Sequence, residues 1–154
     1  MLRFDIAGER DQLPVRLTMN NLYARAVFFV KNTERSLRFY VEKLGFSEDW
    51  AHREGDHVYV CQVSLFGFEV ILNQVHGETL GRAGHGRVFI GLEDDQIETV
   101  RKHIATNGIH AERRDWGQPT LVIKDLDANE MFFWDWPTEG TREIELTKIT
   151  EPGQ

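Results

Sequence analysis

The residues with which this chain of 154 residues could do chemistry are six histidines, four tryptophans, one cysteine and a set of paired charges. His52, His57, His76, His85, His103 and His110 contain no His-x-His pair and no His-Glu-x-x-His helix, the spacings that aim two imidazoles at one metal. His103 falls on an amphipathic helical pattern, and His76 and His85 flank the glycine-rich connection Gly77 to Gly86. All six are therefore read as surface or turn residues. Cys61, the single cysteine, can form neither an intrachain disulfide nor a multi-cysteine metal cluster, and it sits in a strand-like run where a thiol behaves as a small hydrophobe.

The tryptophans are the stronger signal, because an indole face binds planar or cationic ligands by stacking and cation–π attraction. Trp116 stands beside Gly117 and between the polar residues Asp115 and Gln118, a turn-like setting rather than an apolar strand. It reads either as a ligand platform or as a structural residue, and the same alternatives hold for Trp50. Trp134 and Trp136 alternate with Phe133 and Asp135 before Pro137, so both face one way and suit a sheet edge or a subunit contact.

Composition narrows the classes. A formal charge of −7 argues against nonspecific nucleic-acid binding, which needs a basic surface, and it favours capture of cationic small molecules. At 41% hydrophobic residues the chain can build a sizeable core. No apolar run approaches a membrane span and no signal-like segment opens the sequence, so a cytoplasmic protein without a membrane partner is expected.

Two similar elements must position these side chains. Ala26 to Val30 is an apolar, β-branched and aromatic run; Asn32 can cap a helix beginning at Thr33; and Leu37, Tyr40, Val41 and Leu44 form one buried stripe that Gly45 ends. Downstream, Val88 to Leu92 is followed by Asp95 as cap, Glu98 as its capping-box partner, the stripe Ile97, Val100 and Ile104, and a terminating Gly108. Asn32 to Asp95 and Gly45 to Gly108 have the same separation, a repeat of structure rather than of identity. After each helix come three strand candidates: 46–53, 57–65 and 68–75, then 109–114, 120–124 and 130–136. The pattern predicts an α+β fold of two tandem β-α-β-β-β modules, about 22–76 and 86–137, in one domain spanning 22–137. Residues 1–21 form an extension and 138–154 a tail.

The run from Arg25 through Leu44-Gly-Phe46, with Phe39-Tyr40 in mid-helix, resembles the vicinal oxygen chelate superfamily of glyoxalases, bleomycin resistance proteins and dioxygenases. So does Asp125-Leu-Asp-Ala-Asn129, which is similar to the superfamily's Asp-Pro-Asp-Gly-Asn hairpin turn with Leu126 and Ala128 in place of proline and glycine. The resemblance implies a curved mixed sheet around a cleft with helices outside, and commonly a homodimer. Catalytic members hold a divalent metal at four strand positions, which the motifs place at Arg25, Ile71 (with Glu69 two residues away), Arg87 and Phe132. A guanidinium stays protonated and offers no lone pair to a cation, so neither arginine can be a ligand, and the expectation is no metal and no cofactor.

What remains is similar to the bleomycin resistance proteins. In that family an aromatic residue shortly after Leu-Gly-Phe and the Trp of a Trp-Gly pair stack on the drug, positions held here by Trp50 in Phe46-Ser-Glu-Asp-Trp50 and by Trp116 in Asp115-Trp116-Gly117. The ligand-binding set implied is Trp116, Trp50, Phe46, Arg25 and Arg87, with no catalytic residue. The two arginines, equivalent between modules, suit a carboxylate or phosphate in one cavity, or else each is neutralised by a neighbour such as Glu69. The function expected is sequestration of a planar or cationic small molecule, such as a glycopeptide antibiotic. The alternative is a metal-dependent lyase, isomerase or dioxygenase of the glyoxalase type with ligands such as Glu69, His85 and His57. A protein-interaction module would instead show a flat apolar patch and no cleft.

Overall fold

The computed structural model describes residues 24–135. Residues 1–21, the tail from 138, and Trp136 with Pro137 lie outside the described residues. The first module runs β1 (Ala26–Val30), α1 (Thr33–Arg38) continuing as a π-helical turn (Phe39–Lys43), β2 (Ser47–Glu54), β3 (His57–Leu65) and β4 (Phe68–Gln74). A 3-10 segment, Gly77–Arg82, leads into the second: β5 (Arg87–Ile90), α2 (Asp94–Asn107), β6 (Ala111–Asp115), β7 (Pro119–Lys124) and β8 (Glu130–Trp134). The sheets have orders β1-β4-β3-β2 and β5-β8-β7-β6. In each, only the first pair, β1 with β4 and β5 with β8, is parallel. The modules thus share one topology, and hydrogen bonding divides the expected sheet into two of four strands.

Two local expectations are corrected. Asn32 does cap α1, accepting from Arg35 N at 2.8 Å, but Val41 leaves the buried stripe and is 37% exposed. The helix widens into i→i+5 bonding, with Leu44 N donating to Phe39 O at 3.2 Å, and the looser turn rotates Val41 outward while Leu37, Tyr40 and Leu44 stay buried. The second helix is capped by Glu93, not Asp95. Glu93 N donates to Gln96 Oε1 at 3.0 Å in a reciprocal capping box, Asp95 falls in the first turn, and Glu98 pairs with Arg101 at 3.2 Å. Gly108 ends α2 in the left-handed conformation.

One core serves both modules. Val30, Leu37, Tyr40, Leu44 and Phe46 meet Ile97, Val100, Ile104, Ile123, Met131 and Phe133. The space left between Leu44, Phe46, Val100 and Phe133 is about 10 Å³, room for one water at most.

A polar clip joins the modules at β1. Asn129, fully buried, donates through Nδ2 to Phe29 O at 3.1 Å and to Asp125 Oδ2 at 2.8 Å, and accepts from Gly86 N at 2.8 Å. Tyr40 Oη donates to Asp125 Oδ2 at 3.2 Å, and burial followed by that carboxylate raises its pKa well above 10.0. Gly86 lies so close to the Phe28 ring and to Asn129 that a Cβ there would overlap both. In the Asp-rich turn Ala128 takes φ +78°, the left-handed conformation a glycine would hold without strain.

Candidate ligand-binding surface

Strand alternation assigns every candidate to a face. In the second sheet Met131 and Phe133 point to the shared core, so Glu130, Phe132 and Trp134 point to the far face. Register adds Arg87 and Phe89 from β5, Thr120, Val122 and Lys124 from β7, and Glu112 and Arg114 from β6. The far face therefore has an ionic end and an aromatic end.

At the ionic end Glu130, whose side chain is 8% exposed, accepts from Arg87 Nε at 2.8 Å and from Arg114 Nη2 at 2.9 Å. Arg114 also reaches Glu112 at 2.7 Å, and Lys124 bonds Glu112 at 2.6 Å. The Arg87 guanidinium, then that of Arg114, holds the Glu130 carboxyl below its usual range, and Lys124 with Arg114 brings Glu112 down to about 2. Three cations against two carboxylates leave one positive charge.

At the aromatic end the Trp116 indole lies over the Phe132 ring at 4.6 Å between centroids and 27° between planes. Phe132 is 2% exposed and Trp116 55%, so the indole covers the phenyl and offers its own outer face to solvent. The Arg114 guanidinium stands 5.6 Å from the centre of the Phe132 ring. Phe89 and Trp134 form an edge pair at 4.5 Å beside it. Gly117, at φ +77°, with its N–H donating to Asp115 Oδ1 at 2.7 Å, makes the tight turn that returns the chain after the tryptophan.

The first sheet repeats the ionic element. Arg25 and Glu69 each lie one residue before the register pair Ala26 and Val70, and Arg25 Nε is ion-paired to Glu69 Oε2. It is the counterpart of Arg87 with Glu130. Each arginine thus has a glutamate partner across its parallel pair, with the Arg25 pair part-buried and the Arg87 side chain largely exposed over a buried Glu130. Trp50 is 43% exposed and opposite Gln62, on the other sheet from Trp116. Phe46 stands apart from both: at 4% exposure it packs edge-on against Tyr40 at 5.2 Å in the shared core.

Among the described residues no group of three His, Cys, Asp or Glu side chains is placed to hold a metal ion. Ile71 and Phe132 offer no donor, and Glu69 is engaged by Arg25. The alternative set fails on distance: His57 opens β3 whereas Glu69 pairs with Ser64 near its end, seven residues along, about 23 Å at the usual strand rise. Cys61 is fully buried, and burial, then Glu48, pushes its thiol up to about 12, which makes it inert.

Matches to known proteins agree with this architecture. A family model described as glyoxalase superfamily protein matches residues 17–137. The chain belongs to the glyoxalase superfamily. Among solved structures, the bleomycin-binding protein of Streptomyces verticillus, complexed with copper(II)-bleomycin, is 14% identical with a TM-score of 0.59, covering 75% of this chain and 96% of its own. TnmS3, an antibiotic binding protein from Streptomyces sp. CB03234, is 18% identical with a TM-score of 0.53, over 74% and 96%. The fosfomycin resistance protein FosX of Mesorhizobium loti is 15% identical with a TM-score of 0.52, over 80% and 98%. At these identities the likeness is one of fold, and that fold is shared by antibiotic-binding and resistance proteins alike. No curated protein matches the chain. No helix among the described residues is long and apolar enough to cross a membrane.

Sequence reasoning singled out Trp116 but not the residues around it. Phe132, buried at 2% exposure, lies beneath the indole, and Arg114 and Glu130 were not singled out. The signal was present in the alternation Glu130, Phe132, Trp134 and Glu112, Arg114, Trp116, two period-2 sets that share a face only once the β6-β7-β8 register is known.

Proposed function

We propose that this superfamily member is a metal-independent small-molecule binding protein that sequesters a planar ligand, such as the ring portion of a glycopeptide antibiotic, on the Trp116 face. The observation that carries the reading is the half-exposed indole held flat over a buried phenyl. The stack shields Phe132 from water and leaves the outer indole face fixed in place, so that face can stack on a ligand without further entropy loss. The net charge of −7 draws cations toward the protein from a distance, while the Arg114 guanidinium stands near the Phe132 ring beneath the indole. Arg87 spends its Nε on Glu130 and keeps a side chain 70% exposed, a second polar anchor at the rim. Exposed Val27 and Phe89 would be covered in a homodimer, which belongs to the same proposal.

The test is titration with bleomycin, followed by calorimetry. Trp116→Ala is expected to weaken binding by about 1–3 kcal/mol while keeping the fold, since that is the usual worth of one stacked ring. Unchanged affinity in a folded Trp116→Ala protein, or no saturable binding by the parent, overturns the reading.

A further inference from the structure

The first sheet carries a buried acceptor that nothing among the described residues satisfies. Gln62 lies on β3 between Cys61 and Val63, both fully buried toward the helices, so its side chain points to the far face. It is 3% exposed. Its Nε2 donates to Asp49 Oδ2 at 2.9 Å, and Ser64 Oγ donates to Asp49 Oδ1 at 2.7 Å. Gln62 Oε1 has no hydrogen-bond partner among the described residues. The amide orientation is fixed chemically: turning it over would set its oxygen against a carboxylate oxygen already serving as acceptor and orphan the NH2 instead.

A buried carbonyl oxygen without a donor is destabilising, so its persistence marks a place where a donor from outside the chain can be received. The surroundings indicate what. Register between β2 and β3 slips from Glu48–Val63 to Trp50–Gln62, which makes Asp49 the extra residue of a β-bulge. The bulge brings Asp49 to Gln62 and Ser64 and sets Trp50 directly opposite Gln62, where Cβ atoms of facing residues stand about 5 Å apart. Trp50 is 43% exposed although its strand partner is buried. Asp49 holds the amide, Gln62 presents the oxygen, and Trp50 offers a plane beside it.

We propose that Gln62, with Trp50, forms a polar subsite that reads an N–H donor on the edge of a planar ring. Gln62 Oε1 accepts the proton, Trp50 stacks on the ring, and Asp49 acts as a positioning residue. This rests on the small-molecule binding reading above and adds a specificity determinant on the other sheet. A ring lacking the N–H would leave the oxygen buried and unpaired, and that penalty is what discriminates.

Indole and 1-methylindole differ by that one donor, and their dissociation constants can be measured by ligand-observed NMR. The parent should bind indole roughly tenfold more tightly, about the worth of one hydrogen bond to a buried acceptor. Gln62→Met, close in volume and with only a weakly accepting thioether in place of the amide oxygen, should bring the ratio to about one, and Trp50→Leu should weaken both probes. Equal affinities in the parent overturn the proposal, as would an ordered water permanently seated on Oε1. So does a preference that survives Gln62→Met. Should that variant not fold, the parent ratio decides alone. Bleomycin titration of the parent and Trp116→Ala, run in parallel, separates the two readings. Equal indole affinities with intact Trp116-dependent binding remove only the Gln62 subsite, whereas failure of both probes and of bleomycin removes both.

Discussion

Replacing Asn129 with alanine should unfasten the two modules. The side chain, itself without solvent access, makes three bonds, to Phe29 O at 3.1 Å, to Asp125 Oδ2 at 2.8 Å and from Gly86 N at 2.8 Å. Two neutral bonds are worth about 1 kcal/mol each and the bond to a carboxylate about 1.5–3, so the expected loss is roughly 3–5 kcal/mol. Urea denaturation at pH 7, followed by tryptophan fluorescence, measures it. The loss should also depend on pH. Burial raises the Asp125 pKa from 3.8, against the opposing bonds from Asn129, Asp127 and Tyr40. A carboxyl with a raised folded pKa binds its proton more tightly when folded, so its contribution is full below 3.8 and is lost as pH rises through the folded value. Removing Asn129 pushes that pKa up further, so the deficit should be smaller at pH 4.5 than at pH 7. A loss under about 1 kcal/mol, or a deficit that grows on acidification, would refute the reasoning.

Ala128→Gly should stabilise the protein by about 0.5–1 kcal/mol. The relief of a left-handed alanine, about 1–2 kcal/mol, exceeds the extra unfolded-state entropy of glycine, and a lowered urea midpoint would contradict it. Glu130 carries the opposite pH signature to Asp125. Its folded pKa is depressed, so its contribution is present above 4.5 and is lost as pH falls through the folded value. Glu130→Gln should therefore flatten stability between pH 5 and pH 3, and an unchanged acid slope would show that the ionic end contributes nothing.

The elements were legible in the sequence because they rest on local chemistry. Ala26–Val30 and His57–Leu65 are read at their true bounds from apolar and alternating runs, and Gly45 and Gly108 end their helices in left-handed conformations that few other residues adopt. Where the reading missed, neighbours competed at similar energy: Glu93 with Gln96 outdid Asp95 with Glu98 as a capping pair, and a π-helical turn moved Val41 off the stripe. The tryptophans and arginines were visible as residues, but their roles were not. Whether Phe132 is core or platform depends on the indole of Trp116 reaching it across β7, and whether Gln62 is satisfied depends on a bulge that places Asp49 beside it. Both are consequences of register between strands, which a sequence pattern of period two leaves open and which only the packing of each sheet on the shared core decides.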